Sequence, residues 1–361
     1  MAADKYFSRT YREARQRFLD AASAAGAALE TRKHPLTGPE GEALSTDLAW
    51  LGPSDAERVL VTISATHGVE GFCGAGVQVG WLESGLYGEQ PAGTAHLMIH
   101  AINPYGFASL RRVTEDNVDL NRNFVDHDAA LPENPGYEAL AGVLCPSEWN
   151  EEVIAETKKT LERYAETHGR SALQTAISGG QYKHPDGIFF GGHAPTWSRL
   201  VMEEVFAGRL APAKRVAVVD FHTGLGPYGH GERICVHPPG SADLKRATDW
   251  YQGDVTSPAL GTSSSVELHG CNEVGMAKAL GRRELIAIAL EYGTIPTPEV
   301  RLALCADNWL HHHGEPGSAE GRAIKDRIRA AFYPDTADWK KLVWDRAVET
   351  LRCALNGLSQ A

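Results

Sequence analysis

The stretch Val59-Leu60-Val61-Thr62-Ile63-Ser64-Ala65-Thr66-His67-Gly68-Val69-Glu70-Gly71-Phe72-Cys73-Gly74 decides how the rest of the chain is read. Val59 to Ala65 is a short, mostly apolar run rich in β-branched residues. It predicts a buried strand, and His67 to Gly71 predicts the loop leaving its C-terminal end. Open α/β sheets bind their ligands at that end of the strands. His67 and Glu70 offer an imidazole and a carboxylate to one point, ligand types that suit a catalytic zinc still lacking its third protein ligand. Alone the pair is a weak signal, because a histidine and a glutamate three apart also occur in ordinary hydrogen-bonded turns.

Working outward, three more apolar runs predict strands: Ala95 to Ile102, Lys214 to Phe221 and Glu284 to Leu290. Each stops at polar or reactive residues, namely Asn103, His222 and Glu291. If the four strands run parallel, these residues gather along one edge of a sheet. His67, Glu70 and His222 then make a three-ligand zinc site with a position free for water, one ion per chain. Around the strands, Tyr11, Ala14, Phe18, Ala21, Ala22 and Ala25 repeat at helical spacing and predict an N-terminal helix within 6–30. Further helices are predicted over Gly74 to Leu82, Glu148 to His168 and Pro195 to Phe206, with a closing set within 298–355. Thr31 to Ala56 reads as a looser approach, with Leu48 to Trp50 as a short edge element. Ser178 to Gly192, rich in glycine and aromatics, reads as a loop with fixed turns. No repeat or Pro/Gly/Ser-rich linker divides the chain, so residues 1–361 are expected to form a single catalytic domain.

Composition narrows the function. A formal net charge of −11 over 361 residues argues against a partner with a phosphate backbone, nucleic acid above all. The absence of a basic-then-apolar leader and of a membrane-length apolar run leads to the expectation of a cytoplasmic protein without a membrane partner. The six cysteines lack CxxC spacing and fit buried thiols. No GxSxG, GxGxxG or Walker A sequence supports a serine hydrolase or a nucleotide enzyme. Oligomeric state is not legible.

Together, His67-x-x-Glu70 after a strand, Val118-Asp119-Leu120-Asn121-Arg122-Asn123-Phe124, a strand ending in His222 and a later strand ending in Glu291 resemble the zinc carboxypeptidase superfamily, which includes the succinylglutamate desuccinylase and aspartoacylase branch. SATHGVEGFCG, VDLNRNF and DFHTGLGPYG resemble more closely the uncharacterised DUF2817 branch. The resemblance implies an α/β, three-layer fold with a mixed, mostly parallel central sheet and helices on both faces. It implies that His67, Glu70 and His222 hold zinc, that Glu291 is the general base, that Arg112 polarises the scissile carbonyl, and that Asn121 with Arg122 holds a substrate carboxylate. Each role suits its chemistry: a carboxylate can move the proton of a zinc-activated water, and a guanidinium fork matches an oxyanion or a carboxylate. The tyrosine that caps substrates in the carboxypeptidases has no single counterpart, and Tyr182, Tyr228, Tyr251 and Tyr292 are all candidates. His230 and Glu232 follow the His222 motif closely enough to contact substrate or support the ligands. The expected function is a zinc-dependent hydrolase cleaving an amide in a small peptide-like substrate with a free carboxylate. The alternatives are an N-acyl amino-acid deacylase and a non-catalytic metal-binding protein.

Overall fold

The computed structural model describes residues 3–360. Seven strands form one sheet: β1 (Ala28–Thr37), β2 (Ala43–Leu51), β3 (Arg58–Ile63), β4 (Thr94–His100), β5 (Arg215–Tyr228), β6 (Gly231–Ile234) and β7 (Glu284–Gly293). Their order across the sheet is β1-β2-β4-β3-β5-β7-β6. The four inner strands β4, β3, β5 and β7 run parallel, and β1, β2 and β6 are antiparallel additions. The helices are α1 (Tyr11–Ala24), α2 (Gly71–Glu83), α3 (Pro104–Ala108), α4 (Pro135–Leu144), α5 (Glu151–His168), α6 (Arg170–Ser178), α7 (Trp197–Gly208), α8 (Ala242–Trp250), α9 (Asn272–Leu280), α10 (Thr297–His313), α11 (Ala319–Phe332) and α12 (Ala337–Ser359).

Alternation along the parallel strands explains the layering. Val59, Val61, Ile63, Val216, Val218, Leu285 and Ala287 point to one face, where they pack on Val201, Val205 and Phe206 of α7 and Met276 and Leu280 of α9. Leu60, Ala217, Val219, Ile286 and Ile288 point to the other, against Phe18 of α1, Val77 and Trp81 of α2, Trp250 of α8 and Trp339 and Leu351 of α12. Both faces are therefore covered, as parallel sheets require, and the strands read as continuous apolar runs for that reason. The result is the mixed, mostly parallel three-layer arrangement that the resemblance implied. A third cluster, joining α4, α5, α6, α10 and α11 through Tyr137, Leu161, Ile177, Phe189, Val300, Leu304 and Phe332, roofs the C-terminal ends of the strands.

Three expectations about elements differ from what is observed. The N-terminal helix ends at Ala24, because Gly26 takes a left-handed φ of +77° and the chain then enters β1. Leu48 to Trp50 belong not to a short edge element but to β2, a nine-residue strand inside the sheet, with β1 as its edge. The polar look of β2 misleads because Asp47, buried, is satisfied by Arg15 at 2.6 and 3.1 Å and by Thr31 Oγ1 at 2.6 Å. Helices α4, α6 and α9 had no clear periodicity signal, being ten residues or fewer. On β1 itself, Leu29, Glu30, Thr31, Arg32, Leu36 and Thr37 are exposed or half-exposed, Glu30 is paired with Arg209, and Pro35 sits where the pairing with β2 is interrupted between Lys33 and Thr37.

Candidate metal centre

Past β3 the chain turns through Ala65, whose φ of +60° is uncommon for a residue with a side chain. The turn leads into His67, a short 3₁₀ turn at Gly68–Glu70, and the start of α2. Gly68 has to be glycine: a Cβ there would lie 2.0 Å from the Gly106 carbonyl carbon of α3. His222 reaches the same place by a simpler route. It is register partner to Glu291 across the parallel β5/β7 ladder, so the two side chains project side by side from one face.

His67, Glu70 and His222 are buried and converge. His67 Nδ1 lies 3.0 Å from Glu70 Oε1, His222 Nδ1 lies 3.3 Å from Glu70 Oε2, and the two Nδ1 atoms are 3.1 Å apart. Ligands held at zinc's usual 2.0–2.1 Å in a tetrahedron are separated by about 3.3–3.4 Å, so the donor set, its mutual spacing and its burial all fit one such ion. Among the described residues no other trio of His, Cys, Asp or Glu gathers in this way. The chain thus carries one buried cluster able to hold a single metal ion, which fits a zinc-dependent hydrolytic centre.

The outer nitrogens of the two rings are held differently. His222 Nε2 is 3.0 Å from Asp220 Oδ2, and Asp220 also accepts from Thr66 Oγ1 at 2.8 and 3.0 Å and from Asn272 Nδ2 at 2.7 Å. Asp220 can therefore only accept, so His222 Nε2 carries hydrogen and Nδ1 offers its lone pair to the cluster. His67 Nε2 has two neighbours with opposite demands, Asp119 Oδ1 at 3.2 Å and Arg112 Nη2 at 2.8 Å. Only one of them can be bonded at a time. Arg112 also donates from Nε to Asp119 Oδ2 at 2.9 Å and from Nη1 to Glu70 Oε1 at 3.0 Å, while the Thr223 amide donates to Glu70 Oε2 at 3.0 Å.

Charge follows contact. Burial would raise the carboxyls of Glu70 and Asp119, but the histidines and arginines around them outweigh it and hold both well below the usual carboxylate range. Burial would likewise keep His222 neutral, yet Asp220 and Glu70 together draw its pKa upward. Glu291 goes the other way: burial first, and the Glu70 charge second, push it up to about 8. Its Oε1 accepts from the Leu225 amide at 2.9 Å.

One cavity brings together His67, His222, Arg112, Asn121, Arg122 and Glu291, with Glu70 buried behind them. Arg122 spends Nε and Nη2 on the Ser178 carbonyl, at 3.1 and 2.6 Å, and Nη1 on the Asn121 carbonyl at 2.7 Å. Asn121 accepts from the Asn272 amide at 2.9 Å. Of the aromatic loop at 178–192, Phe189 reaches the cavity, where its ring lies 5.0 Å from the Arg112 guanidinium and 5.6 Å from that of Arg122.

Tyr182, Tyr228 and His230 are not on the cavity wall. Tyr182 is turned inward, its hydroxyl 2.7 Å from the Arg122 carbonyl, so it supports the backbone of the Asn121–Arg122 turn. Tyr228 stands 44 % exposed beyond the register shift at the end of β5, bonded to Thr336 and Asp338, and His230 is exposed at the β5–β6 turn. Tyr251 and Tyr292 are buried in the opposite layer. Glu232 braces the segment after α8, accepting from Thr256 Oγ1 at 2.5 Å and the Ser264 amide at 3.0 Å. The reading of the sequence missed Asp220, although its place two residues before His222 puts both on one strand face. Asp119 was considered only as a partner for Arg122, from which it is 4.0 Å away at Oδ1. Asn272, Leu225 and Arg301 gave no local signal.

Among solved structures, the fold is similar to carboxypeptidase A from Helicoverpa armigera, at 12 % identity over 90 % of this chain and 74 % of that one, with a TM-score of 0.47. Similar too are bovine thrombin-activatable fibrinolysis inhibitor, solved with a tick carboxypeptidase inhibitor, at 11 % identity over 96 % and 99 % with a TM-score of 0.47, and a succinylglutamate desuccinylase from Silicibacter, at 14 % over 80 % and 67 % with a TM-score of 0.39. No curated protein matches the sequence. The family model for DUF2817, described as a protein of unknown function, matches residues 7–346, and the chain belongs to that family.

Proposed function

We propose that the chain is a zinc-dependent hydrolase of amide bonds in small, peptide-like substrates that carry a free carboxylate. One observation carries the reading: a buried two-histidine, one-carboxylate cluster opens onto a cavity that also holds an ionisable carboxyl, Glu291, and a guanidinium beside a carboxamide, Arg122 and Asn121. A zinc ion held by His67, Glu70 and His222 supplies Lewis acidity and positive charge, which make water nucleophilic near neutral pH, stabilise a developing oxyanion and favour the ionised form of Glu291.

The chain's own groups do the rest. Glu291 is held at Oε1 by the Leu225 amide, which leaves Oε2 to take the proton of the attacking water and pass it to the leaving nitrogen. With Nδ1 of His67 committed as a ligand, Nε2 carries the ring hydrogen and bonds Asp119. Arg112 Nη2 then has no acceptor on His67 and can serve the oxyanion of the scissile carbonyl. Three of the five N–H groups of Arg122 are bound to carbonyls, so two remain, one on each terminal nitrogen, for a substrate carboxylate. The Asn121 amide nitrogen stands next to them.

The test is Glu291→Gln, assayed for zinc content and for turnover of acetyl-dipeptides with free and amidated C-termini. The variant should keep its metal and lose roughly 10²–10⁴-fold in turnover. The unmodified chain should prefer the free carboxylate. Near-wild-type hydrolysis by a zinc-loaded Glu291→Gln variant would remove Glu291 from the mechanism, and indifference to amidation would remove the carboxylate anchor.

A further inference from the structure

Three guanidinium groups line the cavity, and two of them are occupied. Arg112 is bonded to Glu70 and Asp119, and Arg122 to the carbonyls of Ser178 and Asn121. Arg301, in the second turn of α10, has no hydrogen bond or ion pair among the described residues, although it is partly buried on the cavity wall. Burial alone draws its pKa downward, with the Cys305 thiol as its nearest titratable neighbour and no carboxylate in reach. Such a charge is unfavourable in an apolar wall unless something pairs with it. Its immediate surroundings on α10 are Val300 and Leu304, packed with Phe332 and Phe189.

The opposite wall has a different character. Ile234 of β6 is register partner to Ala289 of β7, two residues before Glu291 on the same face, and Val236, Val266 and Leu268 extend this surface. The segment carrying Val266 and Leu268 is tied to the Asn121–Arg122 turn, through Phe124 N to Gly270 O at 3.0 Å and Asn272 N to Asn121 Oδ1 at 2.9 Å. The part of a substrate that ends in the carboxylate held by Arg122 therefore lies against aliphatic groups, and the α10 wall is left for the other part.

We propose that Arg301 binds a second carboxylate, on the acyl side of the scissile amide, so that the preferred substrates are acidic on that side and aliphatic on the leaving side. The inference rests on the amide-hydrolase reading above. A lone fork with no second cation or helix N-terminus beside it matches the two in-plane oxygens of a carboxylate better than a phosphate.

The test compares acetyl-Glu-Leu with acetyl-Gln-Leu, which differ in one charged group of nearly equal size. Rates are measured on the zinc-loaded full chain, and affinities by calorimetry on the chelator-treated chain, where turnover does not interfere. The glutamate peptide should be favoured by at least about tenfold in both kcat/KM and Kd. Arg301→Met should bring both ratios towards one, with Arg301→Lys in between because it keeps charge and loses the fork. Arg301→Met should also melt no lower than the wild type, since it removes an unpaired charge from an apolar wall. A marked fall in melting temperature would make the residue structural and overturn the proposal. Equal rates and affinities for the two peptides, or no binding of either, would overturn it as well, and equal but real hydrolysis would leave the hydrolase reading standing. Preferential binding of the glutamate peptide without hydrolysis of either would do the reverse, supporting the role of Arg301 and sinking the hydrolase.

Discussion

His67 and His222 each face a carboxylate through Nε2, whereas His96 and His100, inside β4 and equally buried, meet only hydroxyls. His96 Nε2 is 3.1 Å from Thr62 Oγ1 and its Nδ1 has no partner among the described residues. His100 Nδ1 is 3.5 Å from Ser64 Oγ, its Nε2 is unpartnered, and its ring stacks on Phe18 at 4.6 Å. Burial pushes His96 down to about 3 and His100 to about 4, because the one acid near His100, Asp47, is already committed to Arg15. Burial does not by itself make a histidine a ligand. An acceptor behind the ring does, by fixing the tautomer and offsetting positive charge in front of it.

The strongest way to break this contrast is Asp220→Asn, which turns an obligate acceptor into a group that can present N–H to Thr66, Asn272 or His222. Zinc affinity should fall by about 10–100-fold. Competition against a chelator of known affinity measures it, and an unchanged constant would mean that Asp220 serves only the fold.

The β4 pair gives the next largest effect, on stability. In the unfolded chain each ring binds a proton near pH 6.5, while in the folded chain it does so only near 3–4, so unfolding takes up protons between those values and acid favours it. At pH 5 the two should each cost about 2 kcal/mol relative to neutral pH, a contribution fully present above pH 6.5 and lost on descending towards the folded values. Urea unfolding at pH 7 and pH 5 should show a shallower loss for His96→Gln and His100→Gln than for the wild type. Parallel losses would show that other groups govern acid stability.

Arg112→Met sharpens the difference within the ligand pair itself, since it removes a competing donor and a positive charge from the His67 side alone. Zinc should bind more tightly, by on the order of 1 kcal/mol after solvent and Asp119 readjust, even as turnover falls. Weaker zinc binding in the same chelator competition would show that Arg112 supports the ligands instead of competing with the ion.

What could be read from the sequence follows the sheet. Val59 to Ala65 and Lys214 to Phe221 are apolar on both faces, so they announce buried parallel strands, and strand ends are where His67 and His222 had to meet. Asp220 was equally legible, since strand alternation alone sets it beside His222. Asn272 was not: it lies at the start of a nine-residue helix with little periodicity and reaches Asp220 across 52 residues of chain. The direction in which Tyr182 turns was hidden too, because it depends on Gly191, where a Cβ would lie 2.1 Å from the Tyr182 ring, and on a backbone acceptor at Arg122. Arg301 looked like one more helix-surface charge, and only the packing of α10 over the strand ends gives it its setting.

Strand β1 has a consequence for how copies of the chain meet. Its outer edge is one of the two open rows of backbone donors and acceptors left by the sheet, the kind of template on which another strand can add. Pro35 withholds an amide from that row, the break in pairing between Lys33 and Thr37 interrupts its line, and Glu30, Arg32 and Lys33 place charge along it. An incoming strand would have to desolvate those charges and still find its ladder incomplete. The edge is thereby protected against sheet extension and the aggregation that follows from it, even though Leu29 and Leu36 stand exposed on the same strand.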